Sequence, residues 1–346
     1  MENQNNGPTP EHILKITTGF WASKVLLTAA NLQLFTMLAE KKSMSAKDIK
    51  QTLGLNCSDR NMYDFLDALT ALNILDRKGI LDDALYSNST EAEIFLDKKK
   101  PSYVGGIVEM MNNRLYQFWG NLGEGLKTGE CQNEAKGGTN FFELIYGQPE
   151  KLEEFVHAMS GVQMGGFMAF SQKFDFSNYK TLTDAGGSSC LLSLTVAKDH
   201  PHMTCVSFDL PAIAPIANKT IQQFQLSDRV KTASGDFFKD DIPSADIVVM
   251  GNILHDWDEE NKITLMKKAY AALPKGGAFV AIENIIDEDR RNNIFGLLMS
   301  LNMLIETGAG FDFTFADFNK WAKLAGFSST NFLPLAGPTS AAVAIK

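Results

Sequence analysis

Apolar side chains recur at helical spacing through the first hundred residues. Between residues 12 and 40 they fall at mixed three- and four-residue intervals and cover more than one face of the predicted helices. Such a pattern predicts burial in a core or against a second subunit. Ser45 stands where a helix N-cap is expected, and Asp48 three residues later gives a weaker version of the capping box. Another helix is predicted over residues 60–72.

A short hairpin is predicted after this helix, where residues 74–89 alternate in polarity and turn at Lys78 and Gly79. Helix, turn, helix and a two-stranded wing together form a winged-helix pattern, which can bind DNA. The candidate recognition helix, SDRNMYDFLDALTAL, carries three acidic residues and one arginine. Because recognition helices are usually basic, we expect no nucleic-acid binding.

The pattern changes at about residue 181. Residues 101–180 are mostly helical with a glycine-rich break at GGTNFF, whereas short apolar runs alternate with helical stretches afterwards. The runs are KTLTDA, MTCVSFDL, RVKTASGDFF, ADIVVMGNI, GAFVAIENII and SAAVAIK. Strands alternating with helices predict an α/β fold, a Rossmann-like and mostly parallel sheet with helices on both faces. We predict three segments: residues 1–100, helical and winged-helix-like; residues 101–180, a helical linker; and residues 181–346, the Rossmann-like domain.

Composition and charge exclude several classes of protein. The 346 residues carry a net charge of −9, which disfavours a general binder of phosphate backbones. No run of 18 or more apolar residues predicts a membrane span, and the polar N-terminus, MENQNNGPTPEH, lacks the pattern of a secretory signal. The four cysteines have no CxxC spacing, so free thiols in a reducing cytoplasm are expected. No cluster of ligand-type residues along the sequence predicts a metal site.

Chemically useful residues follow each of the first four predicted strands, and ligands of open α/β sheets collect at the carboxyl ends of strands. These tips carry Asp184 followed by Gly186 and Gly187; Asp209; Asp236 with Phe237; and His255 with Asp256 and Trp257. Glycines let the backbone turn sharply and approach a ligand closely. Asp209 lies 25 residues after Asp184, a distance that suits a carboxylate binding ribose hydroxyls. Asp236 and Phe237 suit the edge and the face of an adenine.

A ligand site is therefore predicted at this edge, but the tips alone do not separate S-adenosylmethionine from a dinucleotide. Two features favour the former: the Gly-x-x-Gly spacing of a dinucleotide loop is absent, and the sheet forms the later domain. The structural alternatives are aspartates that only cap helices and a phenylalanine that only packs the core.

The stretch ILHDWDEENKITLMKKAYAALPKGGAFVAIENIIDEDRR is preceded by SGDFF and followed by SLNMLIETGAG. It resembles the class I S-adenosylmethionine-dependent small-molecule O-methyltransferases, nearest the hydroxyindole (acetylserotonin) branch. The resemblance covers nearly the whole chain and is strongest over residues 205–312. It implies S-adenosylmethionine as cofactor, S-adenosylhomocysteine as product, and a small-molecule acceptor with a phenolic or hydroxyindole-like hydroxyl. It also implies that residues 1–100 form a dimerisation domain, that residues 101–180 contribute to the acceptor pocket, and that the protein is a homodimer.

The resemblance assigns the general base to His255. A phenol with a pKa of about 10 is mostly protonated at neutral pH, so a nearby imidazole with a pKa of about 6.5 can take its proton. Two acidic residues of the family orient this histidine; Glu283 matches the first and Asp312 the second, while Asp256 matches a residue that positions substrate or base. Asp312 is one methylene shorter than the usual glutamate, and Phe313 stands where the family has arginine.

Binding residues are also implied by the resemblance. Those for the cofactor are Tyr146, Gln163, Gly186, Gly187, Asp209, Leu210, Asp236, Phe237 and Asn252. Those for the acceptor are Phe155, Met159, Met299, Asn302, Met303 and Glu306. Asn252 replaces a basic residue of the family, and Gln163 departs from its aromatic or hydroxyl types. The methionine and phenylalanine side chains also suit a core.

The glycine loop TDAGGSSC, residues 183–190, departs from the family pattern Asp-x-Gly-Gly-Gly-x-Gly, because Ser188 and Cys190 replace glycines. Two outcomes follow: a slightly shifted loop that binds the cofactor more weakly, or a fold that has lost methyl transfer. We expect the first, because the other site residues are present together. Two further functions stay open: a cofactor-binding relative with non-methylating chemistry, and a non-catalytic winged-helix regulator.

Overall fold

The computed structural model describes residues 8–100, 102–138 and 141–346. These residues divide into two compact units, with the boundary between Tyr116 and Gln117. Among them, no single helix is long and apolar enough to cross a membrane, and only the sharply bent pair Glu11–Asn31 and Leu34–Lys41 passes that test, by length and composition alone.

The N-terminal unit is mainly helical, as its apolar spacing predicts. Its helices are α1 (Glu11–Thr17), α2 (Gly19–Asn31), α3 (Leu34–Lys41), α4 (Ala46–Thr52), α5 (Asp59–Ala71), α6 (Thr90–Phe95) and α7 (Gly105–Met110), followed by a π-helical turn, Met111–Leu115. Ser45 caps α4, since its Oγ accepts the amide hydrogen of Asp48 at 3.2 Å. The predicted N-cap is therefore confirmed.

The wing is a small antiparallel sheet of strands β1 (Met44–Ser45), β2 (Leu75–Lys78) and β3 (Leu85–Asn88), in the order β1-β3-β2. Gly79 leaves β2 with φ +81°, in the left-handed region that glycine favours. The predicted hairpin is confirmed, with a short third strand added to it.

Apolar residues of the N-terminal unit are both buried and exposed. Leu34, Phe35 and Leu38 of α3 are almost completely buried in a core shared with α5 and the wing. By contrast, Ile13, Ile16, Phe20 and Trp21 of α1 and α2 are each more than half exposed, between 54% and 67%. We call these four residues the apolar ridge. A single chain covers only part of the apolar surface predicted for residues 12–40.

The C-terminal unit begins with helices and continues as a seven-stranded sheet. The first helices are α8 (Tyr116–Phe118), which spans the boundary, α9 (Leu122–Thr128), α10 (Phe141–Tyr146) and α11 (Pro149–Lys173). The strands are β4 (Thr181–Ala185), β5 (Thr204–Asp209), β6 (Val230–Ser234), β7 (Ile247–Gly251), β8 (Ala278–Glu283), β9 (Ser329–Pro334) and β10 (Ser340–Ile345). The helices among them are α12 (Leu191–Asp199), α13 (Ala214–Phe224), α14 (Glu259–Ala272), α15 (Ile294–Glu306) and α16 (Phe315–Ala325).

The strand order is β6-β5-β4-β7-β8-β10-β9. Strands β4 to β8 pair in parallel, whereas β10 runs antiparallel between β8 and β9. Because parallel strands end at the same edge, the tips of β4 to β8 lie along one side of the sheet. The predicted α/β fold with a mostly parallel sheet is confirmed, and β9 is a strand that the sequence did not predict.

Helices cover both faces of this sheet. In β7, Ile247 and Val249 pack with α11, α12 and α13, while Val248 and Met250 pack with α14 and α16. All four side chains are completely buried. Successive residues of a strand point to opposite faces, so a strand covered on both sides is apolar throughout. This explains the continuous apolar run that predicted β7.

All four cysteines are free thiols, as expected from their spacing. Cys57 is exposed, Cys131 is half-buried, and Cys190 and Cys205 are buried. Burial raises the pKa of both Cys190 and Cys205 to about 12. These two thiols are therefore protonated and poorly nucleophilic at neutral pH.

Candidate active site

The turn after β4 requires its two glycines. Gly186 has φ +80°, and a Cβ there would lie 2.4 Å from Ile253 Cδ1. A Cβ on Gly187 would lie 2.2 Å from Ser207 Oγ and 2.9 Å from Asp184 Oδ2. A side chain at either glycine would collide with these neighbours, so the sharp turn predicted from the sequence is confirmed, while the close approach to a ligand stays a prediction.

The two residues that replace family glycines adopt the backbone that glycine favours. Ser188 has φ +47° and Cys190 has φ +65°. A side chain in the left-handed region costs on the order of 1 kcal/mol. Cys190 is the N-cap of α12, and its side chain is fully buried among core residues that pack against β4 and β5. The loop therefore keeps its turn, and the Cys190 thiol lies in the core rather than in a ligand cleft.

Asp209 ends β5 and is held by this loop. Its Oδ2 accepts the amide hydrogen of Ser188 at 2.9 Å, and its Oδ1 accepts that of Leu210 at 2.7 Å. Burial raises the pKa of Asp209 to about 6, although the two amides oppose the rise. Asp184, on the neighbouring strand, makes an internal contact: its Oδ2 accepts a hydrogen bond from Ser193 Oγ at 3.2 Å. Asp184 therefore supports α12, while Asp209 stands at the tip.

The segment after β6 carries the predicted acidic and aromatic pair. Asp236 Oδ1 accepts the amide hydrogen of Phe238 at 2.9 Å, and its Oδ2 lies 2.9 Å from Lys239 Nζ. Burial favours a higher pKa for Asp236, but Lys239 and the amide outweigh it and lower that pKa. The ring centroid of Phe237 lies 6.3 Å from that of Trp257, edge to face. Phe237 therefore lies between the β6 tip and the turn that follows β7.

His255 lies in that turn, a single 3₁₀ turn over Leu254–Asp256, and only 5% of its surface is exposed. Glu283 ends β8 and anchors the turn, since its Oε1 accepts the amide hydrogens of Ile253 at 3.2 Å and Leu254 at 2.9 Å. The parallel pairing of β7 with β8 brings these strand ends together.

Three carboxylates surround the imidazole of His255. Its Nδ1 lies 3.5 Å from Asp312 Oδ1 and 3.7 Å from Glu283 Oε2, and its Nε2 lies 3.6 Å from Asp256 Oδ1. Each distance exceeds that of a normal hydrogen bond, so the contacts are electrostatic. Asp312 and Glu283 are each 1% exposed, and Asp312 is further fixed through its amide, which donates to Ser300 Oγ at 3.2 Å. Both predicted orienting acids therefore flank the same ring nitrogen.

This cluster shifts the proton affinity of its members. Burial opposes a charge on His255, but Glu283, Asp312 and Asp256 outweigh it and raise the pKa of the imidazole to about 10. Burial also raises the pKa of Glu283 to about 7 and that of Asp256 to about 6, against the attraction of His255. Without a ligand, the ring therefore holds its second proton at neutral pH.

The predicted acceptor residues of α15 lie on one side of the helix. Met299, Asn302 and Glu306 follow one another at three- and four-residue spacing, which stacks them along a helix face. Glu306 is 7% exposed, and its charge contributes to the raised pKa of Asp256. This face therefore runs toward the His255 turn. Met303 is 6% exposed and, four residues after Met299 and three before Glu306, lies on the same face.

Helix α11 runs beside the glycine loop. Ser160 Oγ lies 2.8 Å from Ser189 Oγ, and Phe167 packs so closely on Gly251, at the β7 end, that a Cβ there would be 3.0 Å from its ring. The predicted residues of this helix, spaced four apart and each half-buried, are Phe155, Met159 and Gln163. The helix lies near the strand tips, and the binding roles of these three side chains stay predictions.

Tyr146 and Asn252 complete the predicted cofactor set. Burial and the charges of Asp209 and Asp256 raise the pKa of Tyr146, so this residue lies within the electrostatic reach of both carboxylates. Asn252 follows β7 with φ +54°, and its amide donates to the carbonyl oxygen of Ile282 at 2.9 Å. Its backbone shapes the turn, and its contact with a cofactor stays a prediction.

Sequence reasoning missed two residues of this region. Trp119 Nε1 donates a hydrogen bond to Asn302 Oδ1 at 2.9 Å, joining the segment before α9 to α15. Lys262 of α14 is completely buried beside the acidic cluster. Lysines in helices usually face solvent, so only the closeness of Lys262 in sequence to His255, Asp256 and Trp257 could have drawn attention to it.

The fold also brings together a group that spacing along the sequence does not reveal. Ligand-type atoms of His255, Glu283 and Asp312 all lie within 4.8 Å of one another, close enough for a small cation to fit among them. Lys262 already places a positive charge in their field, however. That charge opposes the binding of a metal ion among these three residues.

Comparisons with known proteins point to one family of enzymes. Residues 119–328 match the O-methyltransferase domain family, and residues 14–98 match the O-methyltransferase dimerisation domain. The chain is 35% identical over 337 residues to the tetracenomycin polyketide synthesis 8-O-methyl transferase TcmO of Streptomyces glaucescens, with 97% of each protein covered. It is 31% identical to the N,N-dimethyltransferase OxyT of Streptomyces rimosus, over 91% of this chain and 90% of the relative. Human N-acetylserotonin methyltransferase, solved in complex with SAM, has a TM-score of 0.89 at 25% identity and covers 100% of this chain and 99% of its own.

Proposed function

The chain belongs to the O-methyltransferase family, and on that premise we propose that it methylates a phenolic or hydroxyindole-like hydroxyl with His255 as general base. Its membership makes it an S-adenosylmethionine-dependent enzyme that acts on small molecules. The observation that carries the proposal is the burial of one imidazole at a strand tip among Asp256, Glu283 and Asp312. Buried titratable groups with shifted pKa values concentrate at catalytic sites.

The residues of this chain fit the cofactor. The turn at Gly186 and Gly187 is tight enough to exclude any side chain, and Asp209 is held in place by two backbone amides. We propose that Asp209 binds the ribose hydroxyls and that Asp236 and Phe237 bind the adenine. When bound, S-adenosylmethionine supplies an electrophilic methyl group on a sulfonium and leaves as S-adenosylhomocysteine.

The accepting atom of the base is Nε2 of His255. Its Nδ1 faces two carboxylates, Glu283 and Asp312, whose negative charge favours a proton on that nitrogen. The lone pair of the neutral ring then lies on Nε2, on the side of Asp256. Asp256 can orient an acceptor hydroxyl toward Nε2, and a general base of this kind contributes roughly 10²–10⁴ in rate.

The base must lose a proton before it can accept one. A pKa of about 10 keeps the ring of His255 protonated at neutral pH in the ligand-free enzyme. Added positive charge in the cleft, such as that of a sulfonium, lowers this pKa by repulsion. Proton release from His255 on cofactor binding is therefore part of the proposal, and it makes the base available only when the methyl donor is in place.

The names of the relatives guide the choice of acceptor. One acts in polyketide synthesis and another on N-acetylserotonin, and both are O-methyltransferases or methyltransferases of small molecules. We propose an acceptor of similar kind, held by Asn302 and Met299 of α15 and by Phe155 and Met159 of α11. A nitrogen acceptor is the second candidate, because the N,N-dimethyltransferase OxyT is 31% identical.

One experiment tests the cofactor and the acceptor together. Calorimetric titration with S-adenosylmethionine is expected to give binding at micromolar concentration, and a panel of phenols, hydroxyindoles and amines is then screened for a product heavier by one methyl group. Methylated phenols support the proposal, and methylated amines alone support the second candidate. An absence of binding heat at high micromolar cofactor overturns both.

A homodimer is also proposed. The support is the dimerisation-domain match over residues 14–98 together with the apolar ridge, whose large side chains are exposed in a single chain. Exposed apolar patches of this kind mark protein interfaces. Light scattering at micromolar concentration is expected to give twice the mass of the chain, and a monomer would overturn the proposal.

A further inference from the structure

Lys262 is a completely buried lysine directly behind the catalytic turn. It stands in the first turn of α14, five residues after Trp257, and its Nζ donates a hydrogen bond to the backbone oxygen of Trp257. The same Nζ lies 3.3 Å from the ring centroid of Phe311 and 5.7 Å from that of Trp321. Three separate segments of the chain therefore converge on one ammonium group.

A buried ammonium needs compensation. Removing such a group from water costs several kcal/mol unless other groups replace its hydration. The rings of Phe311 and Trp321 and the Trp257 carbonyl replace part of it through cation–π and hydrogen-bond contacts. Burial still lowers the pKa of Lys262 to about 8, and negative charges oppose this change.

Those charges belong to the catalytic cluster itself. In order of their effect on Lys262 they are Glu283, Asp312, Asp256 and Asp258. The first three are the carboxylates that surround His255. The imidazole and the ammonium therefore share one set of counter-charges.

We propose that Lys262 is a positioning residue, which fixes the His255–Trp257 turn through the Trp257 carbonyl and supplies, at neutral pH, a positive charge that balances the carboxylates around His255. This inference rests on the proposed role of His255 as base. With Lys262 present, the carboxylates hold the second imidazole proton less tightly, so the ring becomes neutral when a cationic cofactor binds. Without it, the full negative charge acts on His255 alone.

Several other charged groups lie around Lys262 and His255. His255, Asp256 and Asp258 come from the turn, Glu283 from β8 and Asp312 from the loop before α16. Glu306 of α15 acts on Asp256. Glu259 of α14 forms an exposed pair with Lys320 of α16 at 2.8 Å, and Lys262 contributes to its lowered pKa. Among the described residues that act on His255 or its carboxylates, Lys262 is the one buried lysine.

The test compares Lys262→Met, which removes the charge at similar length, with Lys262→Arg, which keeps it. Lys267→Met on the exposed side of α14 is the matched control and is expected to behave as wild type. We expect Lys262→Met to move the acid limb of the kcat–pH profile upward by about one pH unit, which is about a tenfold loss of kcat at neutral pH. The acceptor KM is expected to change little, and Lys262→Arg is expected to restore the profile.

A second readout does not depend on turnover. Calorimetry at one pH gives the affinities for S-adenosylmethionine and S-adenosylhomocysteine, which differ by the sulfonium charge. Loss of a positive charge is expected to raise the ratio of S-adenosylmethionine affinity to S-adenosylhomocysteine affinity roughly threefold in Lys262→Met. The ratio is expected to stay at its wild-type value in Lys262→Arg. If the wild-type enzyme methylates no acceptor, the proposed function fails. The ratio of the two affinities still tests the role of Lys262, because it does not require turnover.

The inference is overturned if Lys262→Met leaves both the pH profile and the affinity ratio at their wild-type values, since a purely structural lysine would move neither. Should Lys262→Met fail to fold, Phe311→Leu takes its place. That variant weakens the hold on the ammonium while keeping the lysine, so smaller shifts in the same two directions are expected. Unchanged values in Phe311→Leu then overturn the inference.

Discussion

The indole nitrogen of Trp119 donates a hydrogen bond to the side-chain oxygen of Asn302 at 2.9 Å. An indole N–H can only donate, so the amide oxygen of Asn302 must face Trp119 and its NH₂ group must point elsewhere. The other contact of that NH₂ is weak, 3.9 Å from Met299 Sδ. Asn302 is thereby fixed as a hydrogen-bond donor on the predicted acceptor face of α15.

Replacing Trp119 by phenylalanine removes this hydrogen bond and lets the amide of Asn302 rotate. We expect the acceptor KM to rise about fivefold to tenfold, the cost of one hydrogen bond, with kcat changed less. Steady-state kinetics against one methylated acceptor measures both, and Trp119→Tyr is a second variant without the indole donor. If the acceptor KM is unchanged in both variants, Trp119 does not contribute to acceptor binding.

Removal of the base is the most direct test of the mechanism. His255→Ala is expected to lower kcat by roughly 10²–10⁴ while cofactor affinity stays within a few-fold of wild type. Rate assays and calorimetry on the same preparation give the two numbers. His202, which contacts the Phe176 carbonyl at 3.1 Å, offers a control substitution remote from the strand tips. Turnover at the wild-type rate in His255→Ala would remove this residue as base.

Asp312→Asn tests the electrostatics of the cluster with the opposite sign to Lys262→Met. Asp312 lies 3.5 Å from Nδ1 of His255 and helps to raise the pKa of the ring. Neutralising it lowers that pKa, and since the base works unprotonated, the acid limb of the kcat–pH profile should move down by about one unit. The maximal kcat is expected to fall, because the ring loses an orienting group. The control Asp289→Asn, at an exposed position before α15, should leave the acid limb of the kcat–pH profile unchanged. An unchanged acid limb in Asp312→Asn would contradict the charge argument.

Backbone strain in the glycine loop predicts a stabilising substitution. Ser188 has φ +47°, and glycine would remove the strain while keeping the amide that donates to Asp209. Ser188→Gly is expected to raise the free energy of unfolding by up to about 0.5 kcal/mol, because the entropy cost of glycine offsets most of the relieved strain. Ser189→Gly, which loses the contact with Ser160, should destabilise instead. Thermal unfolding of the two variants side by side decides the matter, and equal melting temperatures would count against the strain.

Charge in the apolar ridge tests the homodimer. Trp21 is 61% exposed and lies edge-on to Phe20, with ring centroids 6.0 Å apart. Trp21→Asp is expected to convert a dimer to a monomer, because an aspartate in an apolar interface would be buried without a partner. Sedimentation or light scattering measures this, with Asn56→Asp at an exposed position as a charge-matched control. A dimer of wild-type strength in Trp21→Asp would place the interface elsewhere.

Much of the site could be predicted because its residues stand at strand tips. A parallel strand covered on both faces is a short apolar run, so its end is visible in the sequence, as at Asp209 and Glu283. The sheet then brings ends together that are far apart along the chain. The distance between Asp312 and His255 could not be predicted from the sequence. Because aspartate is shorter than the usual glutamate, that distance depends on the path of the loop after α15.

The features that the sequence did not predict depend on packing. Strand β9 alternates weakly, contains Pro334 and lies at an edge, where its exposed residues carry no apolar pattern. Lys262 belongs to a class of residue that is normally solvated, and only the convergence of Phe311, Trp321 and the acidic cluster explains its burial. Long-range contacts of this kind leave no periodicity in a sequence.

The four thiols differ in burial, and this difference allows selective labelling of the protein. Cys57 is exposed on the N-terminal unit, whereas Cys190 and Cys205 are buried and protonated well above neutral pH. Brief treatment with a maleimide dye at neutral pH will therefore couple first at Cys57 and spare the thiol beside the glycine loop. A fluorophore attached there can report on self-association by energy transfer without any engineered cysteine.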